Sequence, residues 1–170
     1  MRWLKFLLGN RVPDGFDGEL APGEHVLDSA KVDSGGFLLV TPLGLWIPGP
    51  RRVGWHMIAK AAWADGVFTL TEAEETGKAG AAVVLADLKP VTFKLSSPGS
   101  VPRMVHQRVT GSIRARHRQE LPGGGAWFVQ RKLPGQDGVV LQVRPDPGTD
   151  PALVADIAAE AAGKLANPGA

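Results

Sequence analysis

The stretch of residues 35–58, GGFLLVTPLGLWIPGPRRVGWHMI, decides the predicted fold. Its apolar residues form short runs, and Thr-Pro-Leu-Gly and Pro-Gly-Pro-Arg-Arg separate them. Glycine and proline favour turns and are disfavoured inside sheets, so each break is predicted to be a turn between neighbouring strands. The stretch therefore indicates a small β-meander with an exposed loop at residues 48–52.

The same pattern continues on both sides of this stretch. The runs that are predicted to be strands lie at residues 25–32, 37–41, 45–47, 57–63, 67–74, 82–87 and 91–95. These seven runs leave no room for crossover helices, so the strands are expected to be antiparallel and to close into a barrel or sandwich. A helix over residues 102–118 is predicted next, with Val105, Val109 and Ile113 on one face. Gly111 weakens its middle, which leaves open a kink or an earlier end.

Two further elements are predicted near the C-terminus. Residues 126–132 and 139–144 flank Pro-Gly-Gln-Asp-Gly and are predicted to form a hairpin, and PGGGAW before them is predicted to be a tight connection. A last helix is expected after Asp150, a favourable N-cap, and Pro151, a favourable first helical residue.

Length and composition limit the function classes. A chain of 170 residues with 44% apolar content is expected to form one domain, or one domain with an appended lobe. We divide it into an N-terminal amphipathic segment and linker (1–20), a β domain with its helix (21–120) and a hairpin with a helix (121–170). The absence of cysteine excludes disulfides and thiolate chemistry, and it is compatible with a cytoplasmic protein.

Short motifs in the β region resemble the pleckstrin-homology-like (PH-like) proteins of actinobacteria. The matching residues are Gly23-Glu24, the run from Leu38 to Trp46 that ends in T-x-x-G-L-W, and the W-x-x-I that begins at Trp55. The resemblance covers roughly residues 20–118. It implies an α+β fold: a PH-like seven-stranded antiparallel β-barrel or sandwich capped by a helix, to which a β-hairpin and a C-terminal helix are added.

The resemblance also implies a binding or interaction module rather than an enzyme. PH domains that bind phosphoinositides carry basic residues in the loop between their first two strands. The matching loop here, residues 33–36, is Asp-Ser-Gly-Gly. We therefore expect no lipid site of that kind, and we expect a protein partner.

Basic residues are concentrated in one part of a nearly neutral chain. Residues 96–145 contain eight basic and two acidic residues, whereas the whole chain has a net charge of +2. The candidates for binding an anionic partner are Arg103, Arg108, Arg114, Arg116, Arg118, Arg131 and Lys132. Three interpretations stay open: a solvated face, a contact with an anionic partner, and a nucleic-acid surface on the basic helix 102–118.

The N-terminus, MRWLKFLLGNRV, is too short to span a bilayer. Arg2, Trp3, Lys5 and Leu7 are candidates for a contact with the inner membrane surface. The alternative is that this segment packs against its own domain.

The sequence offers little for catalysis. His25, His56, His106 and His117 lack the spacing of metal ligands, and no nucleophile elbow or phosphate-binding loop is present. Trp46, Trp55, Trp63 and Trp127 fall in or beside predicted strands, where buried packing explains them. We therefore predict a non-enzymatic cytoplasmic module without cofactor, metal or small-molecule substrate.

Overall fold

A computed structural model describes residues 12–166, which form an α+β fold. The first strands are β1 (Asp28–Lys31), β2 (Phe37–Val40), β3 (Gly44–Ile47), β4 (Arg51–Gly54), β5 (Ile58–Ala64) and β6 (Val67–Ala79). The later strands are β7 (Ala82–Asp87), β8 (Val91–Lys94), β9 (Ile113–Leu121), β10 (Gly124–Lys132) and β11 (Val139–Pro145). Helix α1 is Val101–Ser112, helix α2 is Pro151–Ala166, and Trp55–Met57 is a single 3-10 turn.

The chain divides into two compact units, each with its own core. The first unit comprises residues 12–72 and 89–111 of the described chain, and the second comprises residues 73–88 and 112–166. Strand β6 contributes to both, because its first residues belong to the first unit and its last residues to the second.

The first unit contains two antiparallel sheets around one core. Strands β1 to β4 pair in sequence order, and the first part of β6 pairs with both β5 and β8. Both sheets and α1 contribute to the core, whose members include Leu38, Leu45, Val53, Ile58, Phe68, Leu70, Val101 and Val105. Burial of this apolar surface is the main force that holds the unit together.

One predicted loop is a strand. Residues 51–54 pair with β3 as β4, so the span of residues 25–95 contains eight strands instead of seven. Two adjacent arginines are tolerated because β4 is the last strand of its sheet, where their side chains reach solvent. Arg51 there forms a two-pronged ion pair with Glu72, at 2.6 and 3.0 Å.

The second unit contains a mixed sheet covered by α2. Its strands follow the order β7-β11-β10-β9, in which β7 and β11 are parallel and the other neighbours antiparallel. The predicted hairpin and final helix are confirmed, and PGGG forms the tight connection between β9 and β10. Asp150 Oδ1 accepts a hydrogen bond from the Ala152 amide at 3.0 Å, as an N-cap does.

The predicted helix over residues 102–118 is wrong in its last six residues, and the helix has the earlier end that Gly111 left open. Helix α1 ends at Ser112, and residues 113–121 form β9. The physical reason is that pairing with β10 satisfies the backbone of residues 113–121 in a sheet, and Gly111 weakens the helix just before them.

A buried carboxylate connects the motifs that carry the PH-like resemblance. Glu24 Oε2 accepts hydrogen bonds from Thr41 Oγ1 at 2.6 Å and from Trp46 Nε1 at 3.0 Å. Glu24 Oε1 accepts from the Ala21 amide at 2.9 Å and from Arg52 Nη1 at 2.7 Å. One side chain therefore joins the segment before β1 to β3, β4 and the turn after β2.

Two other motif residues contribute to the geometry of this turn. Trp55 Nε1 donates to the Thr41 carbonyl oxygen at 2.9 Å. A Cβ atom on Gly44 would collide with the Val53 carbonyl, so only glycine allows β3 and β4 to pair here. The T-x-x-G-L-W and W-x-x-I motifs thus act through backbone contacts and hydrogen bonds around Glu24.

The segment that the sequence indicated as a linker packs against the outer face of the first sheet. The rings of Phe16 and Trp46 meet edge to face, with centroids 5.5 Å apart. Phe16, Leu20 and Phe37 surround a small core of Val26, Leu39 and Trp46. Residues 16–26 therefore cover apolar surface that the sheet would otherwise expose.

The hydrogen bonds of Glu24 determine its protonation. Burial by itself raises the pKa of a carboxyl, but the bonds from Thr41, Ala21, Trp46 and Arg52 outweigh burial and lower the pKa of Glu24 below its ordinary value of 4.5. A lowered folded-state pKa stabilises the fold above the ordinary pKa, and this stabilisation is lost as pH falls through the folded-state value.

We expect Glu24→Gln to lower the free energy of unfolding at neutral pH by about 2–4 kcal/mol, because the amide cannot serve four donors of this strength. Urea denaturation at pH 7 and pH 4 measures this. The variant should also lose less stability than the wild type between these two pH values. Glu19→Gln, at an exposed position, is the matched control, and equal stability of the two variants would contradict the prediction.

Candidate functional site

The seven basic candidates do not form one helical surface. Arg103 and Arg108 lie exposed on α1, in the first unit. Arg114, Arg116 and Arg118 lie on β9, in the second unit, and Arg131 and Lys132 end β10 there. The predicted site therefore divides into groups that have to be considered one unit at a time.

Arg131 is a correction to the predicted surface. Only 3% of this residue is exposed, and its Nε and Nη2 atoms donate to Ser112 Oγ at 3.0 and 2.7 Å. Burial, with the charge of Arg144 as a smaller cause, lowers the pKa of Arg131 to about 10. A guanidinium in this position is part of the interior and cannot meet an anionic partner at the surface.

Arg118 already has anionic partners within its own unit. It forms ion pairs with Asp146 and with Glu120, and the bond from Arg118 lowers the pKa of the Asp146 carboxyl. Its charge is therefore largely compensated. Arg114 and Arg116 remain the exposed cations of β9.

Trp127 is more exposed than a core residue. The sequence predicted buried packing, which is right for Trp46 and Trp55 but wrong for Trp127, of which 37% is exposed. The guanidinium carbons of Arg116 and Arg118 lie 4.8 and 5.8 Å from its ring centroid, which is cation–π distance. The ring is thus held at the sheet surface by cations of the neighbouring strand.

A groove between β5 and α1, in the first unit, carries an exposed aromatic side chain. We call it the β5–α1 groove; its volume is about 330 Å³. Strand β5 contributes Ala61, Ala62 and Trp63, β6 contributes Phe68, and α1 contributes Pro102, Arg103 and His106. Trp63 is 39% exposed, the second tryptophan for which the prediction of burial is wrong.

The register of β5 explains why the groove is there. Ala61 lies opposite Leu70 and Trp63 opposite Phe68, so both point to the core side of the sheet. Alanine is too small to fill the space towards α1, and Trp63 stands two residues before the turn that joins β5 to β6. Sequence reasoning missed this recess because the small size of Ala61 matters only once α1 lies beside β5.

The acidic residue of the loop between β1 and β2 connects this loop to the segment after β8 by hydrogen bonds. Asp33 accepts hydrogen bonds from the Ser96 amide at 3.0 Å and from Ser96 Oγ at 2.7 Å. A recess of about 330 Å³ beside this loop includes Asp17, and its described lining residues include no arginine or lysine. The geometry of this recess is unfavourable for a phosphorylated headgroup, which binds best where arginine or lysine lines the site.

Residues 12–166 show no cluster of three histidine, aspartate or glutamate side chains that would hold a metal ion. Within the same residues, no helix is long and apolar enough to cross a bilayer. Arg2, Trp3, Lys5 and Leu7 lie outside the described residues, so the membrane contact stays a prediction.

Comparison with known proteins finds no matching family model, no matching curated protein and no matching solved structure. The function must therefore be argued from the residues themselves.

Arg131 and Lys132 are neighbours that provide a test of the corrected site. We expect Arg131→Ala to lower the free energy of unfolding by about 2–4 kcal/mol, because it removes the guanidinium bonds to Ser112 and leaves a buried space. Lys132→Ala, at an exposed position, should change it by less than about 0.5 kcal/mol. The measurement is chemical denaturation of both variants. An unchanged free energy of unfolding in Arg131→Ala would contradict a buried structural role for Arg131.

Proposed function

We propose that the chain is a non-enzymatic binding module of PH-like architecture that docks a protein partner in the β5–α1 groove. The observation that carries the proposal is the exposed Trp63 beside Arg103 at the mouth of this groove. A cytoplasmic location belongs to the same proposal and rests on the absence of cysteine.

The PH-like part of the proposal rests on the order of elements in the first unit. Four antiparallel strands form one sheet, β5, the first part of β6 and β8 form a second, and α1 follows and packs on their shared core. This is the order of a seven-stranded PH-like domain with its C-terminal helix. The last part of β6 and β7 would then be an insertion between its sixth and seventh strands.

A protein partner fits the chemistry of the groove better than a small polar ligand does. Its floor is apolar, with Ala61 and Phe68, and its rim carries the cation Arg103 and the imidazole of His106. Tryptophan and arginine are the residues most enriched at the energetic centres of protein interfaces. Strand β5 pairs with β6 alone among the described strands, so the other edge of residues 60–64 offers backbone groups to an incoming segment.

The ionised groups of the first unit favour structural roles over catalysis. Hydrogen bonds lower the pKa of Glu24 and of Asp33, and each carboxylate is held by donors of its own fold. A general base or acid usually needs a pKa moved towards neutrality and access to a substrate. These two carboxylates have the opposite shift, which supports a binding module.

A nucleic-acid partner is the second hypothesis. It requires a continuous basic helix over residues 102–118 as the recognition element, and its support is weaker because α1 ends at Ser112. Arg103 and Arg108 are the arginines that α1 retains.

We expect a photo-crosslinking amino acid at His106 to capture one partner of discrete mass when the full chain is exposed to extract of its own cells. His106 is exposed on α1 and lines the groove, so a docked protein lies within reach of it. Trp63→Ala in the same chain should reduce the captured amount by about thirtyfold or more, as the loss of an aromatic anchor does. Capture is measured by gel shift and mass spectrometry.

The matched control places the same crosslinker at Thr92, an exposed position of β8 outside the groove. Capture of the same protein from Thr92, or capture from His106 that is unaffected by Trp63→Ala, would contradict docking in the groove. Circular dichroism of Trp63→Ala checks that the fold is retained.

A further inference from the structure

We propose a second docking site, in the second unit: the outer edge of β9 binds an extended peptide in which apolar and acidic residues alternate. The peptide adds a strand to the sheet and places its apolar side chains in a groove beside α2. This inference goes beyond the proposed function, because none of its residues belongs to the β5–α1 groove.

The first observation is an exposed strand edge. Strand β9 is nine residues long and ends its sheet, and β10 is the strand that pairs with it in the described chain. Residues 114–117, 119 and 120 are exposed. Unpaired backbone N–H and C=O groups along such an edge are a template for another strand.

The second observation is an apolar groove along the same edge. Its volume is about 300 Å³, and it lies between β9 and α2. The lining residues that matter here are Ala115 and His117 from β9, Phe128 from β10, and Ile157, Ala161 and Leu165 from α2. Alanine at positions 115 and 161 leaves room for the side chains of an added strand.

The third observation is the charge of the edge. Arg116 lies opposite Val129 in the register and shares the sheet face of Trp127, whereas His117 lies opposite Phe128 on the groove face. Arg114 lies at the β-bulge where the pairing with β10 shifts. Asp146 compensates the charge of Arg118. The carboxylates of a partner would therefore contact the exposed guanidinium groups of Arg114 and Arg116.

Together these observations specify the ligand. Side chains of an added strand alternate between the two sheet faces, so every second residue enters the apolar groove and the residues between them meet the arginine face. Complementarity then requires apolar residues at the peptide positions that enter the groove, and aspartate or glutamate at the positions that meet the arginine face.

A single-stranded nucleic acid fits this surface less well. Its bases need open aromatic faces for stacking, and the ring of Trp127 is already accompanied by Arg116 and Arg118. Six of the ten residues that line the groove are apolar, which suits the side chains of a peptide better than the phosphate groups of a nucleic acid. We therefore argue for the peptide and make the nucleic acid an outcome of the test.

The test uses the full chain and a fluorescein-labelled peptide in which leucine and glutamate alternate, with fluorescence anisotropy as the readout. We expect saturable binding that weakens with ionic strength. The double variant Arg114→Glu with Arg116→Glu should lower the affinity by at least about tenfold. The control Arg103→Glu with Arg108→Glu changes the net charge equally in the first unit and should leave the affinity unchanged.

Two methylated peptides test strand addition directly. Successive N–H groups of a strand point to opposite edges, so only the leucine amides or only the glutamate amides face β9. N-methylation of one set should abolish binding, and methylation of the other set should preserve it. Equal behaviour of the two peptides would overturn the proposal of an added strand.

The groove is tested by Ala161→Trp, which should exclude the leucine side chains and lower the affinity by at least about tenfold. Ala161→Val, which fills less space, serves where the larger residue unfolds the chain, and it should lower the affinity by a smaller factor. Unchanged binding in a folded variant of either kind overturns the groove assignment.

Two outcomes would reject the proposal as a whole. One is the absence of saturable peptide binding. The other is binding of a single-stranded oligonucleotide, lost in Arg114→Glu with Arg116→Glu, by a chain that does not bind the peptide. Trp63→Ala is included throughout: it should leave peptide binding intact, so failure of the β9 site and failure of the β5–α1 groove are observed separately.

Discussion

The carboxylate of Glu24 is the interaction on which the first unit depends. Four donors from four parts of the chain converge on its two oxygens: the Ala21 amide, Thr41 Oγ1, Trp46 Nε1 and Arg52 Nη1. A buried charge is costly unless every lone pair is used, and here the hydrogen bonds more than offset burial, since the pKa of Glu24 is lowered. The segment before β1 is thereby fixed against the sheet that it covers.

The same principle separates structural arginines from available ones. Arg52 and Arg118 are held by carboxylates, and Arg131 is buried against Ser112. Arg103, Arg108, Arg114 and Arg116 are exposed. The local excess of positive charge in the sequence is therefore not the charge that a partner would meet, because part of it is used inside the fold.

The two candidate sites share a construction. Each lies beside a helix, at a strand on the edge of its sheet. In each, an alanine of that strand leaves the space towards the helix unfilled: Ala61 next to α1 and Ala115 next to α2. Such places combine apolar surface with unpaired backbone groups, which is what an extended protein segment recognises. This shared chemistry is the reason why we propose a protein partner for each unit.

The sequence by itself determined the elements whose signal is local. Turn residues placed most strands, Asp150 and Pro151 placed α2, and the apolar periodicity predicted an α+β fold, because these preferences act within a few residues. Tertiary structure decided what depends on a partner distant in sequence: β4 forms by pairing with β3, residues 113–121 become β9 by pairing with β10, and β7 joins β11 in parallel. It also decided which arginines and tryptophans reach solvent, since a side chain is buried or exposed by neighbours that the linear pattern does not place.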